Sequence, residues 1–164
     1  MNETITPRQA AEFFQTHDSY LILTHVRPDG DTIGCAAGLC RALRQIGKTA
    51  HILENPEATE LFTPYLEGLT APADYAPETV VSVDISSRSL FPEGARQYLA
   101  RVDLAIDHHP SQEFFARATC LDSGRAACGQ LVYEIVKQFA QITPELGEAL
   151  YVAVSTDCGC FVYS

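Results

Sequence analysis

The feature that most constrains this chain is residues 21–34, with the sequence LILTHVRPDGDTIG. Its first three residues form an apolar run that predicts a buried strand, and apolar periodicity predicts a helix over residues 32–47. The turn between them carries His25, Asp29 and Asp31. One imidazole and two carboxylates, with no sulfur, form a ligand set typical of a divalent cation such as Mn²⁺ or Mg²⁺. The alternative is an ordinary Pro-Asp-Gly turn in which Asp31 only caps the helix.

Length and composition predict one ordinary globular domain. The chain has 164 residues, of which 46% are hydrophobic and 20% charged, and this is enough to bury a core. Its net charge of −10 argues against a broad basic surface that would grip duplex DNA. A small phosphate site stays compatible with this charge, because bound cations reverse its sign locally.

The location is predicted from what the N-terminus and the cysteines suggest. Neither a signal-peptide pattern nor an apolar run of membrane-spanning length is seen, so we expect a cytoplasmic protein without a membrane partner. The six cysteines are then expected to be thiols. Cys35, Cys40, Cys158 and Cys160 lack the C-x-x-C spacing of a structural zinc site, which disfavours a zinc or redox role.

Strand and helix patterns alternate along the chain. Strands are predicted over residues 20–24, 49–53, 79–83 and 103–106, and helices over residues 7–17, 95–100, 125–140 and from residue 144 onward. Residues 54–77 are predicted as a short helix and a surface loop, residues 114–121 as a strand or an irregular piece, and residues 151–155 fit either a helix or a strand. The alternation predicts an α/β fold with a mostly parallel sheet and helices on both faces.

Acids and histidines follow three of the predicted strands. The three groups are His25 with Asp29 and Asp31, then Asp84, then Asp107 with His108 and His109. An Asp at the end of one strand is unremarkable, but the carboxyl ends of parallel strands meet at one edge, so we expect the groups to lie together. With Asp157 the set contains five carboxylates and three imidazoles, and it therefore predicts at least one divalent cation and more readily two.

Five segments occur in the order found in DHH phosphoesterases: THVRPDGDTIG, VSVDISS, AIDHHPS, ACGQLVYEIV and STDCGCFVYS. The chain resembles this family over residues 7–164, most of all its bacterial oligoribonuclease and pAp-phosphatase (nanoRNase) branch. The resemblance implies a two-metal phosphoesterase that uses a metal-activated water to hydrolyse short single-stranded oligonucleotides or 3′-phosphoadenosine 5′-phosphate (pAp). It favours Mn²⁺, with Mg²⁺ also allowed by the ligand set, and it allows a homodimer.

The resemblance also implies a role for each residue of the site. The metal ligands would be divided between two ions, His25 and Asp29 for the first, Asp31, His108 and Asp157 for the second, and Asp84 as the bridge between them. Asp107 would orient a histidine from outside the ligand set, and His109 would face the substrate phosphate as a hydrogen-bond donor or proton shuttle. Arg27, Ser86 and Arg88 are predicted to contact the substrate, and Arg125 is a further candidate.

The chain departs from the family pattern in two places. Ala127 stands where relatives often carry Ser, so a hydroxyl that could contact the substrate is absent. The sequence also ends within STDCGCFVYS, the segment that matches the fourth motif of the family. We therefore predict that residues 1–164 are a DHH domain without the second, DHH-associated substrate domain, either truncated or a natural fragment, and the activity of this chain alone stays an open question.

Two other functions remain open. A manganese-dependent inorganic pyrophosphatase would use the same metal chemistry, although THVRPDGD and VYEIV resemble the nanoRNase branch more closely. A non-catalytic nucleotide-binding fragment is the other alternative. The presence of all five acids and all three histidines of the site argues against decay of the metal centre.

Overall fold

Six parallel strands form the centre of the molecule, and the computed structural model describes residues 3–162. The strands are β1 (Glu3–Thr4), β2 (Tyr20–Leu23), β3 (Ala50–Ile52), β4 (Thr79–Val83), β5 (Leu104–Asp107) and β6 (Ala118–Leu121). The α-helices are α1 (Pro7–Thr16), α2 (Gly30–Gln45), α3 (Thr63–Leu66), α4 (Cys128–Val136) and α5 (Pro144–Asp157). The described residues also contain three 3₁₀ segments, at Arg88–Leu90, Glu93–Arg101 and Gly159–Phe161. Across the sheet the strand order is β1-β6-β5-β4-β2-β3, and every neighbouring pair is parallel.

The predicted α/β fold with a parallel sheet is confirmed, and apolar cores cover both faces of the sheet. Along β2, Tyr20 and Ile22 enter one core while Leu21 and Leu23 enter the other, as the two-residue period of a strand requires. Helices α1, α2, α4 and α5 supply the first core. The 3₁₀ segment Glu93–Arg101 helps to cover the second. Both faces therefore carry helical structure, but the four longer α-helices all pack on the same face.

Most predicted elements are confirmed, and the differences have local causes. The helix predicted over residues 125–140 is wrong at both ends, because α4 covers only Cys128–Val136. Before α4, the backbone N–H of Arg125 donates to the Asp122 carbonyl and forms a turn. After α4, the backbone N–H of Phe139 donates to the Val136 carbonyl, three residues earlier, instead of continuing the α-helical pattern. Residues 151–155, which fitted a helix or a strand, belong to α5, and the uncertain residues 114–121 contain β6. The two-residue strand β1 was not predicted.

All six cysteines are free thiols, and four of them are buried in the protein. Cys35, Cys40, Cys120 and Cys128 pack in the larger core as small apolar side chains do. Within residues 3–162, no helix combines the length and the apolar character that crossing a membrane would require.

Helices α2 and α5 are antiparallel and approach closely at glycines of α2. A Cβ atom added at Gly30 would collide with the side chain of Thr156, near the end of α5. One added at Gly34 would collide with the Ala149 carbonyl and lie 2.8 Å from the Cβ of Ala153. The glycines thus bring the last turn of α5 beside the first turn of α2, and both turns carry predicted metal ligands.

We expect Gly34→Ala to lower the free energy of unfolding by about 1–3 kcal/mol, the usual cost of overpacking a tight core contact. The collision involves backbone and helix Cβ atoms, which cannot move aside as a flexible side chain can. Gly147→Ala in α5 is the matched control, since its Cβ would meet only Ile142, at 3.4 Å. Urea unfolding of both variants measures the difference, and equal stability of the two would contradict the close approach.

Candidate metal centre

Four chain segments deliver the candidate site to the carboxyl edge of the sheet. They are the β2–α2 turn together with the first turn of α2, the residue after β4, the end of β5 with the two residues that follow it, and the last residue of α5. These segments contain all eight residues predicted from the sequence: His25, Asp29, Asp31, Asp84, Asp107, His108, His109 and Asp157. Seven of them, all except Asp107, form three overlapping groups within which the ligand atoms lie within 4.8 Å of one another. The groups are His25–Asp29–Asp84, Asp31–His108–Asp157 and Asp84–His108–His109.

The first group consists of His25, Asp29 and Asp84. His25 Nε2 lies 3.5 Å from Asp29 Oδ1 and 3.7 Å from Asp84 Oδ2. The other ring nitrogen, Nδ1, donates a hydrogen bond to the Val26 carbonyl at 2.7 Å. This bond places the hydrogen of a neutral imidazole on Nδ1, so Nε2 keeps the lone pair that a metal ligand needs.

The second group consists of Asp31, His108 and Asp157. His108 Nε2 lies 3.5 Å from Asp157 Oδ2 and 3.9 Å from Asp31 Oδ2. Its Nδ1 donates to the Arg125 carbonyl at 3.2 Å, which again leaves Nε2 free for a cation. The two histidines thus present the same nitrogen to the site in the same way.

Asp84 lies between the two groups and faces each with a different oxygen. Oδ2 faces His25, whereas Oδ1 lies 3.6 Å from His108 Nε2. Within residues 3–162, both Asp84 Oδ1 and His108 Nε2 are buried and have no hydrogen-bond partner. Asp84 also adopts a left-handed backbone conformation, with φ at 58°, of the kind that persists where the surroundings enforce it. Two buried, unpartnered ligand atoms facing each other fit a cation between them.

Burial shifts the ionisation of the carboxylates at this edge. It raises the pKa of Asp84 well above the usual range, and the charges of Asp31 and Asp29 raise it further. Burial likewise raises the pKa of Asp31, against the hydrogen bonds that it accepts. Partial desolvation acts to raise the pKa of Asp29, but the nearby His25 ring and two backbone N–H groups stabilise its charged form and lower the pKa overall. Full ionisation of these carboxylates is therefore unfavourable in the protein alone, and a divalent cation would lower the pKa values again.

Two of the predicted ligands also cap helices. Asp29 is the N-cap of α2 and accepts from the backbone N–H groups of Asp31 and Thr32. The alternative in which Asp31 caps α2 is therefore wrong, because Asp29 is the cap. Asp31 instead reaches α4, where it accepts from the N–H groups of Cys128 at 2.7 Å and Gly129 at 2.9 Å. The N-cap position of α4 is Ala127, which offers no side-chain oxygen. Asp31, in α2, therefore accepts hydrogen bonds from the first N–H groups of α4 in place of an N-cap side chain.

Asp107 is fully buried and holds His109. His109 Nδ1 donates to Asp107 Oδ1 at 2.8 Å, and this hydrogen bond raises the pKa of His109. Asp107 thus contacts the ring of His109, while His108 reaches it through its backbone N–H. Sequence analysis missed Gln112, which donates to the other oxygen of Asp107 at 2.7 Å. Nothing in the local sequence pattern distinguishes this glutamine from a surface residue of a loop.

The four candidate substrate-binding residues have different surroundings, and not all of them line the cleft at the site. Arg27 is exposed and lines a cleft of about 420 Å³ together with His25, Asp29, Asp84, His109 and Asp157. Ser86 is buried, and Arg88 makes an ion pair with Glu113 at 3.2 Å. Arg125 pairs with Asp122 and Glu134 at the start of α4. Of the four, Arg27 alone is among the described residues that line the cleft.

We expect Asp84→Asn to raise the free energy of unfolding of the metal-free chain at pH 7 by about 1–3 kcal/mol, since it removes a buried, unpartnered carboxylate. Asn tolerates the left-handed backbone equally well. Folding raises the pKa of Asp84, so the protonated group is favoured in the folded state. Its contribution to the free energy of unfolding is therefore fully present when the pH is below the pKa of the unfolded chain, about 4, and is lost as the pH rises through the pKa of the folded state.

The advantage of the variant should therefore be larger at pH 7 than at pH 4.5. Urea unfolding at both pH values measures it, with exposed Asp74→Asn as the control for the same chemical change. A variant that is less stable than the wild type at pH 7 would contradict the electrostatic description of the site.

This chain is similar to known proteins over most of its length. The model of the DHH family, N-terminal domain, matches residues 19–154. The "Bifunctional oligoribonuclease and PAP phosphatase NrnA" of Thermus thermophilus is 31% identical over 147 residues, which cover 87% of this chain and 44% of the relative. The protein of the same name from Mycoplasma pneumoniae is 26% identical over 167 residues, which cover 95% of this chain and 51% of the relative. The chain thus spans about half the length of the curated relatives it matches.

Among solved structures, an exopolyphosphatase-related protein from Bacteroides fragilis superposes with a TM-score of 0.81 at 23% identity. The match covers 96% of this chain and 51% of that protein, and it shows that the two share a fold. The family match extends from just before β2 into the last turn of α5, and so includes all of the candidate site except Asp157. The resemblance stated from the sequence motifs is confirmed: this chain belongs to the DHH family.

Proposed function

We propose that this chain is the catalytic domain of a phosphoesterase that holds two divalent cations and hydrolyses short oligonucleotides or pAp. The observation that carries the proposal is Asp84, whose two oxygens face two groups of ligands that each include a histidine with a free Nε2. The substrate class comes from the names of the relatives, which describe an oligoribonuclease and PAP phosphatase. Mn²⁺ is the first choice for the metal, and the mixed imidazole and carboxylate ligands also admit Mg²⁺.

The ligand sets follow the two groups in the structure. His25 and Asp29 would hold one ion, Asp31, His108 and Asp157 the other, and Asp84 would bridge them. When bound, the cations would activate a water for attack on phosphorus and offset charge on the phosphoryl oxygens. No cysteine or serine is needed as a nucleophile, which agrees with the deep burial of Cys35 and Cys128, whose thiol pKa values burial raises.

His109 is proposed to act on the phosphate. Its Nδ1 is engaged by Asp107, so Nε2 is the ring nitrogen available to donate a hydrogen bond or a proton. The hydrogen bond to Asp107 raises the pKa of His109 and so favours its protonated, donating form. The ring is half-buried and lines the cleft, where a substrate can reach it.

Arg27 is proposed as a phosphate contact, because it is exposed and lines the cleft beside these groups. Ser86 and Arg88 have less support, since one is buried and the other pairs with Glu113. The net charge of −10 favours small or single-stranded substrates that reach the cations over a duplex that needs a broad basic surface. We place this activity in the cytoplasm, as six free thiols suggest, and a homodimer is compatible with it.

We expect this 164-residue chain with added Mn²⁺ to release phosphate from pAp and to shorten a small RNA. Asp84→Asn should lower turnover by at least about 100-fold. Loss of a residue that only supports a metal ligand costs up to about 100-fold, and a ligand that bridges both cations should contribute more. Circular dichroism should show an unchanged fold, and Asp74→Asn is the matched control. Turnover retained in Asp84→Asn would contradict the bridging assignment.

The same assay separates the alternatives. Preferential hydrolysis of pyrophosphate would favour a pyrophosphatase. Mn²⁺ binding with no turnover of any of these substrates would favour a nucleotide-binding domain that uses this fold without catalysis.

A further inference from the structure

We propose that Gln112 is a positioning residue, which holds the Asp107 carboxylate in the orientation that fixes the His109 ring beside Asp84. The inference rests on the proposed phosphoesterase function, to which it adds a residue that touches neither the cations nor the substrate. It is carried by a set of hydrogen bonds that joins the loop after β5 to the loop after β4.

The side-chain amide of Gln112 is buried and fully engaged. Only 5% of the residue is exposed, and its Nε2 donates to Asp107 Oδ2 at 2.7 Å and to the Ile85 carbonyl at 2.9 Å. Its Oε1 accepts from the backbone N–H of Phe114 at 3.1 Å. A flipped amide would turn its oxygen toward two acceptors and its NH₂ toward a donor, so these bonds allow one orientation.

Asp107 depends on this amide because its two oxygens have different partners. Oδ1 accepts from His109 Nδ1 at 2.8 Å and from the backbone N–H groups of His108 and His109. Oδ2 is paired by Gln112, and the whole residue is buried. Without the Gln112 donor, Oδ2 would be an unpaired carboxyl oxygen in the protein interior, and rotation of the carboxyl group to relieve it would displace Oδ1 from His109.

The same amide connects His109 to the candidate metal centre. Ile85, whose carbonyl accepts from Gln112, directly follows Asp84 in the chain. A second bond, from the Glu113 N–H to the Ser86 carbonyl at 2.8 Å, joins the same two loops. His109 Nδ1 lies 3.6 Å from Asp84 Oδ1 across this junction. Gln112 therefore sets both the tilt of the imidazole and its distance from the bridging ligand.

This arrangement predicts a specific kinetic effect. Among the described residues, the Gln112 side chain makes no hydrogen bond to any of the six proposed ligands, so the affinity for cations should not change when it is lost. Displacement of His109 should affect the step in which charge or a proton moves on the phosphate, and hence kcat more than KM.

The test compares Gln112→Met, which keeps the length of the side chain and removes the amide, with Gln45→Met. The side-chain amide of Gln45 also forms two hydrogen bonds to backbone, both with Gln141. Gln45 is the last residue of α2, at the opposite end of this helix from Asp31. We expect Gln112→Met to lower kcat on pAp at least about tenfold, the range for loss of an outer-shell partner. KM and the Mn²⁺ affinity measured by calorimetry should stay within about twofold, and Gln45→Met should match the wild type.

A second readout does not depend on activity. In histidine-selective ¹H–¹⁵N spectra of the metal-free chain, the His109 Nδ1–H signal should be shifted or lost in Gln112→Met and unchanged in Gln45→Met. If the wild type hydrolyses neither substrate, the proposed function fails, and the spectra alone decide whether Gln112 positions His109.

Wild-type kcat with unchanged His109 signals in Gln112→Met would overturn the proposal. An equal loss of kcat and Mn²⁺ affinity would also overturn it, because Gln112 would then support the ligands and not His109. If Gln112→Met does not fold, Gln112→Asn, which keeps a shorter amide, is measured in its place. We expect an intermediate kcat and a shifted His109 signal in that variant, and wild-type values for both would reject the role.

Discussion

Repulsion between carboxylates gathered at one edge of a parallel sheet is the interaction on which the rest of the site depends. Three of them are stabilised by hydrogen bonds: Asp29 caps α2, Asp31 caps α4 from a distance, and Asp107 accepts from His109 and Gln112. Asp84 is buried like Asp31 and Asp107, but among the described residues its Oδ1 has no hydrogen-bond partner. The protein thus satisfies the carboxylates that shape the site and leaves unsatisfied the one that faces both groups of ligands, as a binding site for cations requires.

Close packing of two helices holds the edge of the sheet in place. Glycines at positions 30 and 34 let α5 approach the backbone of α2, and the Thr32 hydroxyl donates to the Val83 carbonyl at the end of β4. Asp31 then bonds to the first turn of α4. Helix packing, strand ends and helix caps therefore converge on the first turn of α2. A change there should alter stability and the site together, whereas Asp157, exposed at the end of α5, belongs to the site alone.

Sequence patterns predicted what depends on local periodicity and on strand ends. The buried strands and the collection of acids and histidines at their carboxyl ends follow from apolar runs and the geometry of parallel sheets. The cap of α4 by Asp31 could not be predicted, because it joins residues 97 positions apart along the chain. The role of Gln112 depends on how two loops fold against each other. Strand β1 has only two residues, and it is a strand because it pairs with β6, which lies more than 100 residues later in the chain. The assignment of individual ligands came from the family resemblance and stays a prediction.

The central claim is that Asp84 joins two metal positions into one centre. Electron paramagnetic resonance of the chain loaded with two equivalents of Mn²⁺ tests this claim most directly, because ions that share a carboxylate are magnetically coupled. We expect a coupled dinuclear spectrum in the wild type, and the spectrum of separate ions, or of a single ion, in a variant without the Asp84 carboxylate. Two uncoupled Mn²⁺ ions in the wild type, or binding of only one, would contradict the account.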